Sequence, residues 1–300
     1  MPSPRLTRVS TVWDLMIRRP SLSRWFQRNI LDREVLAHRY WQLAPRFHQI
    51  RRNLTPGYIS RPLNPFKLVV VDPDRIVRFS SREYPIWETR WQLFGAIMDG
   101  TWDQRRIPPV RAHDGVDLSV YLADQFIDTP VHQCLKAHFH QGVAWEETTF
   151  IKNVMGRARD EKYDRPVWHT CRTPDDVRQR CKKLDRLYED IRDRGYLSAR
   201  RINAETGRKR TFRQVMENEI LVDIGRDGEL LFVSGRHRLS IAKLLGIEKV
   251  PVGIVVRHSE WMDRLRSVGE QDATGTPDDP ESVHPDLRHR LSEQQQCIPW

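Results

Sequence analysis

Residues 219–256 read EILVDIGRDGELLFVSGRHRLSIAKLLGIEKVPVGIVV. An apolar run meets the turn Gly225-Arg226-Asp227-Gly228, and a second apolar run follows it. An Asp-Gly pair between two apolar runs is a hairpin signal, because the glycine supplies the positive φ that a tight turn needs. After Gly235 the apolar residues Leu239, Ile241, Ala242, Leu244 and Leu245 are spaced for a helix, and Gly246 marks its end. A third apolar run begins at Val250. The stretch predicts strands over Glu219–Gly225, Glu229–Ser234 and Val250–Val256 of one sheet, with a helix over Arg236–Leu245. The fold class expected is therefore α/β.

The same patterning extends outward. FKLVVVDPDRIVRF (66–79) reads as a strand, a Pro-Asp turn and a second extended piece. A helix or loop is expected around Glu88–Ile97, and GAIMDGTWDQRR (95–106) is a glycine-punctuated turn. Residues 117–155 look helical, 157–173 read as a polar connection, and 200–213 as a basic one. Between these connections, Thr173-Pro174-Asp175-Asp176 is a strong helix start and Gly195 the matching stop. Val177, Cys181, Leu184, Leu187, Tyr188 and Ile191 form the apolar stripe of that helix.

These segments suggest three regions. Residues 1–62 form a basic helical N-terminal extension, with an aromatic stripe suited to packing or to lying on a membrane surface. Residues 63–268 form an α/β domain with a helical insertion at about 117–200. Residues 269–300 form a polar tail, in which Glu270–Ser282, with Pro277 and Pro280, is too polar to pack and is expected to be mobile. A short helix is expected around His284–Gln295.

Fifty basic residues against 40 acidic ones give a formal charge of +10, and the excess favours anionic partners. Nucleotides, sugar phosphates and nucleic acid fall in that class; a solvated mixed-charge surface is the plainer alternative. The four cysteines, Cys134, Cys171, Cys181 and Cys297, show no CxxC spacing, which argues against a zinc ribbon or a dithiol redox motif. No run approaches the ~18 apolar residues of a membrane span, and the N-terminus is a poor secretory signal. A cytoplasmic location is expected.

Ser234-Gly235-Arg236-His237-Arg238 lies where the second strand meets the helix. A glycine there permits close approach of a ligand, and the first N–H groups of a helix attract an anion. Arg236, His237 and Arg238 add donors and charge. The alternative is an ordinary strand-to-helix turn with two exposed arginines. Arg257 and His258, at the end of the last strand, are expected beside this cradle as further phosphate ligands. His132, Cys134, His138 and His140 crowd one region but form no metal signature. Asp99, Asp103, Glu146, Glu147 and Asp223 are scattered carboxylates, each more readily a cap or a solvated group than a catalytic one.

LYEDIRDRGYLSAR (187–200), followed by residues 219–256, resembles the ParB/sulfiredoxin superfamily. Gly195, Gly235, Arg238, Ala242, Gly246 and Val250-Pro251-Val252 fall in the order of that family's helix, strand, turn, strand, Gly-x-x-Arg helix and Val-Pro-Val strand. The resemblance covers about a quarter of the chain, or a third with Val69–Ile76. It implies a ParB/sulfiredoxin-like core with a mixed sheet, carrying helical N-terminal and central extensions. It also implies a Gly-x-x-Arg turn that binds the phosphates of a nucleoside triphosphate or diphosphate, with Mg²⁺ in the catalytic case. Gly235, Arg236, His237, Arg238, Arg257 and His258 are the cofactor-binding residues so implied. Arg236 stands where sulfiredoxin has its cysteine, so sulfinic-acid reduction is not expected. The residues after Val256 are polar and proline-punctuated, so a helix-turn-helix DNA reader is not expected among them. Two function classes stay open: a nucleotide-dependent small-molecule phosphotransferase, and a non-catalytic nucleotide- or nucleic-acid-binding module.

Overall fold

The computed structural model describes residues 67–82, 93–106, 122–160, 162–163, 165–207, 212–271 and 284–286. The N-terminal extension (1–62), residues 83–92, most of the tail expected to be mobile, and most of the helix expected around His284–Gln295 lie outside the described residues. Among the described residues the fold is α/β, with a five-stranded mixed sheet. No helix described is long and apolar enough to cross a membrane.

The strands are β1 (Val69–Val71), β2 (Ala96–Met98), β3 (Ile220–Ile224), β4 (Leu230–Ser234) and β5 (Val250–His258). β5 is central. It runs parallel to β3 on one side, while β1 (antiparallel) and β2 (parallel) share its other edge, at its start and its end. β3 and β4 form the predicted hairpin, closed by Gly225 N–H to Glu229 O at 2.9 Å, with Gly228 at φ 84. β3 is buried along its whole length and β5 along nearly all of it, which is why both read as continuous apolar runs rather than alternating ones. β5 runs two residues past the expected Val256.

One irregularity has a side-chain cause. Val222 pairs with Ile254 and Ile224 with Arg257, so β5 carries one extra residue between these pairs. The Val256 N–H falls beside the bulge and donates instead to Asp223 Oδ1 at 3.0 Å. The same carboxylate accepts from Ser80 Oγ and from Arg82 Nε at 2.7 Å, and Arg82 and Asp223 are both buried. A charge removed from water needs this many partners.

The helices are α1 (Pro130–Gln141), α2 (Thr149–Arg159), α3 (Pro174–Arg194), α4 (Ala199–Glu205), α5 (Phe212–Met216), α6 (Arg236–Leu244) and α7 (Ser259–Gln271). α3 forms as predicted. Thr173 and Asp176 make a reciprocal capping box, and Gly195 follows the last turn at φ 73. In the region expected to be helical over 117–155, the described residues form two α-helices, α1 and α2. Gly142 at φ 69 ends α1, and the Thr148 hydroxyl caps α2. The two connections are also more structured than expected. Val167, Trp168 and Cys171 are buried around a tight turn, and α4 and α5 occupy much of 200–213.

Two apolar cores meet at α6. Leu239 and Ala242 join the sheet core with Phe79, Phe126 and Phe232, whereas Ile241 joins the helical core of α1, α2 and α3. Helical periodicity puts Ile241 on a different face from its neighbours, so one short helix ties both cores together.

Asp223→Ala should leave Arg82 buried without its carboxylate and the Val256 N–H without its acceptor. A loss of about 3–5 kcal/mol is expected in urea denaturation, the scale of breaking a buried ion pair from one side. A loss below about 1 kcal/mol would mean that the bulge and the ion pair do not hold the sheet.

Candidate anion-binding cleft

The β4–α6 junction opens into a cleft of about 720 Å³. Residues 234–238 form one wall, and α3 supplies another through Arg180 and Lys183. Arg236 and Arg238 bring the basic side chains on the walls to four, and Glu217 is the acidic residue on the walls among those described. The structure therefore brings Gly235, Arg236, His237 and Arg238 together, as expected, and adds basic residues from a helix far away in the sequence.

Gly235 lies at φ 91 and is the N-cap of α6. Its role differs from the one expected. A Cβ here would meet Glu219 O and Ile220 Cα, both at 2.7 Å. The space a side chain would need is taken by the chain's own backbone at the start of β3, not reserved for a ligand. The glycine is a packing requirement that also sets the direction of α6.

Each basic side chain of the turn has a structural partner. The Arg236 guanidinium lies over the rings of Phe79 and Phe232, 5.7 and 5.9 Å from their centroids. Arg238 Nε donates to Tyr196 Oη at 3.0 Å, Nη2 donates to Leu197 O, and the guanidinium stacks 4.7 Å from the Tyr196 ring centroid. Arg238 thus fastens the α3–α4 link to α6, and its removal would cost packing as well as charge. Burial pushes the Tyr196 hydroxyl up to about 12, so it stays protonated. Behind this contact, buried Glu219 accepts from Arg200 N–H at 3.0 Å. Desolvation raises the Glu219 carboxyl, even against the Arg200 and Ala199 amides and the charge of Arg238.

His237 points its ring at Trp168 and His169, with centroids 5.7 and 5.4 Å away. Its Nε2 is buried and has no hydrogen-bond partner, and the same holds for Ser234 Oγ on the cleft wall. Burial, followed by the neighbouring His169, Arg180 and Arg236, holds the His237 imidazole well below its ordinary pKa. It is neutral at pH 7.

Arg257 and His258 are not beside the cleft. Ser234 pairs with Leu221 at one end of β3, whereas Arg257 pairs with Ile224 at the other. At ~3.3 Å per residue this is on the order of 10 Å along the strand. A strand parallel to β3 must end where β3 ends, away from the end of antiparallel β4. Arg257 instead makes a two-point ion pair with buried Asp286 at 2.8 and 2.9 Å, and Trp261 Nε1 donates to the same carboxylate at 3.1 Å. Burial alone would raise the Asp286 carboxyl, but Arg257 and Trp261 outweigh it and hold it below the usual range. His258 Nε2 bonds Gly100 O at 2.8 Å. Asp103 receives two-point bonds from Arg226. This end of the sheet is a closed network of paired charges.

The other singled-out residues also lie elsewhere. His138 bonds Asp185 and Val143 O and stacks on Trp145, and Cys134 bonds Thr148, all within the helical core. Glu146 pairs with Arg178 at the surface. No group of three or more metal-ligating side chains occurs among the described residues. No family model, curated protein or solved structure matches this chain.

Sequence reading missed Arg180, Lys183 and His169. The first two had a signal: they are three apart beside the Leu184 stripe, so they share one edge of α3. His169 had none. It is placed by a left-handed backbone at φ 52 inside a turn that exists only because Val167, Trp168 and Cys171 are buried.

Gly235→Ala combines a strained φ with the backbone collision. It should destabilise the fold by about 2–4 kcal/mol in thermal or urea unfolding. Gly246→Ala has a similar φ of 62 but meets nothing within 4 Å, so it should cost only about 1 kcal/mol. Equal losses at the two positions would show that the contact with β3 carries no weight.

Proposed function

We propose that this chain is a nucleotide-binding protein of ParB/sulfiredoxin-like design, and that the phosphates of its ligand sit in the cleft at the β4–α6 turn. The observation that carries the reading is the convergence of Arg180, Lys183, Arg236 and Arg238 on one cleft at the start of α6. A helix N-terminus offers unpaired N–H groups and the positive end of its dipole, and guanidinium groups add charge-assisted donors. Leu184, Leu187 and Pro166 give the same cleft an apolar wall. A cleft of this size, lined by both apolar and cationic side chains, suits a ligand with a ring and a phosphate better than a bare ion. The order of strand, turn, strand, Gly-x-x-Arg helix and strand supports the superfamily reading.

Binding is the function this geometry supports best. Phosphoryl transfer would require a group to activate the acceptor and a means of neutralising the phosphates. Glu217 is the carboxylate placed to contribute to such chemistry, and Mg²⁺ held by ligand phosphates would be its natural partner.

Lys183 is the cleanest probe, because it lines the cleft and is exposed. In calorimetry with ADP and ATP, with and without Mg²⁺, Lys183→Ala should weaken binding by roughly threefold to tenfold without changing Tm. Arg192→Ala removes an exposed charge paired with Asp193, away from the cleft, and should leave affinity unchanged. Arg238→Ala should weaken binding and also lower Tm, because Tyr196 loses its partner. Absence of saturable nucleotide binding at millimolar concentration would overturn the proposal.

A further inference from the structure

We propose that His169 and His237 are the proton-carrying contacts of the cleft: when an oxyanion seats beside Arg180 and Arg236, the pair takes up one proton from solvent and donates an N–H to the anion. The inference rests on the anion-site reading above and adds a residue pair and a proton stoichiometry to it. Four observations converge. Both histidines line the cleft, with their ring centroids 5.4 Å apart. The Nε2 of His237 is buried with no hydrogen-bond partner, an arrangement that costs free energy unless a ligand supplies the missing bond. His169 reaches the site through φ 52, a left-handed conformation uncommon outside glycine, which histidine and asparagine adopt more readily than most residues and which recurs at ligand-binding positions. The walls hold Arg180 and Lys183 from α3, Arg236 and Arg238 from α6, and Glu217 before β3, so cationic charge surrounds both rings.

That surrounding charge sets the sign of the effect. In the empty cleft, burial and the arginines disfavour a further positive charge on either ring. Desolvation, then the charges of Arg180 and Arg236, lower His169 to about 3. An anion placed among these groups reverses the local field and raises the histidine pKa. Proton uptake then occurs between the pKa of the free cleft and that of the occupied one. Affinity climbs as pH falls through the occupied-state pKa and levels off below the free-state value. The coupling favours ligands that offer full anionic charge to the rings and disfavours neutral ones of the same shape.

The test uses the full chain with two probes, ADP and inorganic sulfate. Sulfate stays a dianion throughout the range, so any pH dependence of its binding belongs to the protein. Affinities are measured from about pH 8 to about pH 5, and histidine ring NMR follows protonation. The expected result is a sulfate affinity that rises by about tenfold per pH unit over part of the range, with a histidine resonance that shifts to the protonated position only when sulfate is present. His237→Gln should abolish the pH dependence. Because that ring is packed in the wall, His169→Asn is the companion variant. Its position is exposed and Asn accepts positive φ, so the fold is retained and the pH dependence should be reduced. Sulfate or ADP binding with no pH dependence beyond that of ADP itself, and no histidine shift, would overturn the proton coupling while leaving the anion site intact. Failure of both probes to bind would overturn the coupling and the anion site together.

Discussion

The passage from β4 into α6 is possible only because position 235 has no side chain. Glu219 O and Ile220 Cα stand where a Cβ would be, and the backbone turns through φ 91 to leave the sheet. This contact fixes where α6 begins, and α6 in turn holds the two cores together through Leu239 and Ala242 on one side and Ile241 on the other. The residues of the first turn of α6 line the cleft, next to this contact of Gly235 with the start of β3. Placement of the candidate site and cohesion of the fold are therefore consequences of one close approach.

The two ends of the sheet resolve their charges in opposite ways. At the end where β3 and β5 finish, arginines meet carboxylates: Arg82 with Asp223, Arg226 with Asp103, and Arg257 with Asp286. These pairs satisfy buried groups and anchor surrounding segments, including residues 284–286. At the other end Arg180, Lys183, Arg236 and Arg238 surround an open cleft whose acidic lining residue, among those described, is Glu217. The far end is thus closed by the chain's own carboxylates, whereas the cleft end presents a basic lining.

The core of the fold was legible in the sequence because its signals are local. The turn at Asp227-Gly228, the glycine before α6, the capping box at Thr173 and the stop at Gly195 each fix a boundary within a few residues. The break between α1 and α2 was there to be read in Gly142 and Thr148, but helical apolar spacing on both sides obscured it. The turn residues of the candidate site were found by the same local logic. Arg257 and His258 were misplaced because strand direction is a property of pairing, and β5 pairs with strands of both senses. The purpose of Gly235 was misread for a related reason: the sequence reveals that a side chain is absent, while only the packed structure reveals what fills its place. His169 lay beyond reach, since its position depends on the burial of its neighbours.

The central claim is that the cleft at the β4–α6 turn receives an anion. A crystal structure of the chain with bound ADP tests it most directly. The account predicts phosphate oxygens within hydrogen-bonding distance of the first N–H groups of α6, with Arg180 and Lys183 closing on them from α3. Phosphates bound at the Arg257–His258 end of the sheet, or on the outer surface with the cleft empty, would contradict it.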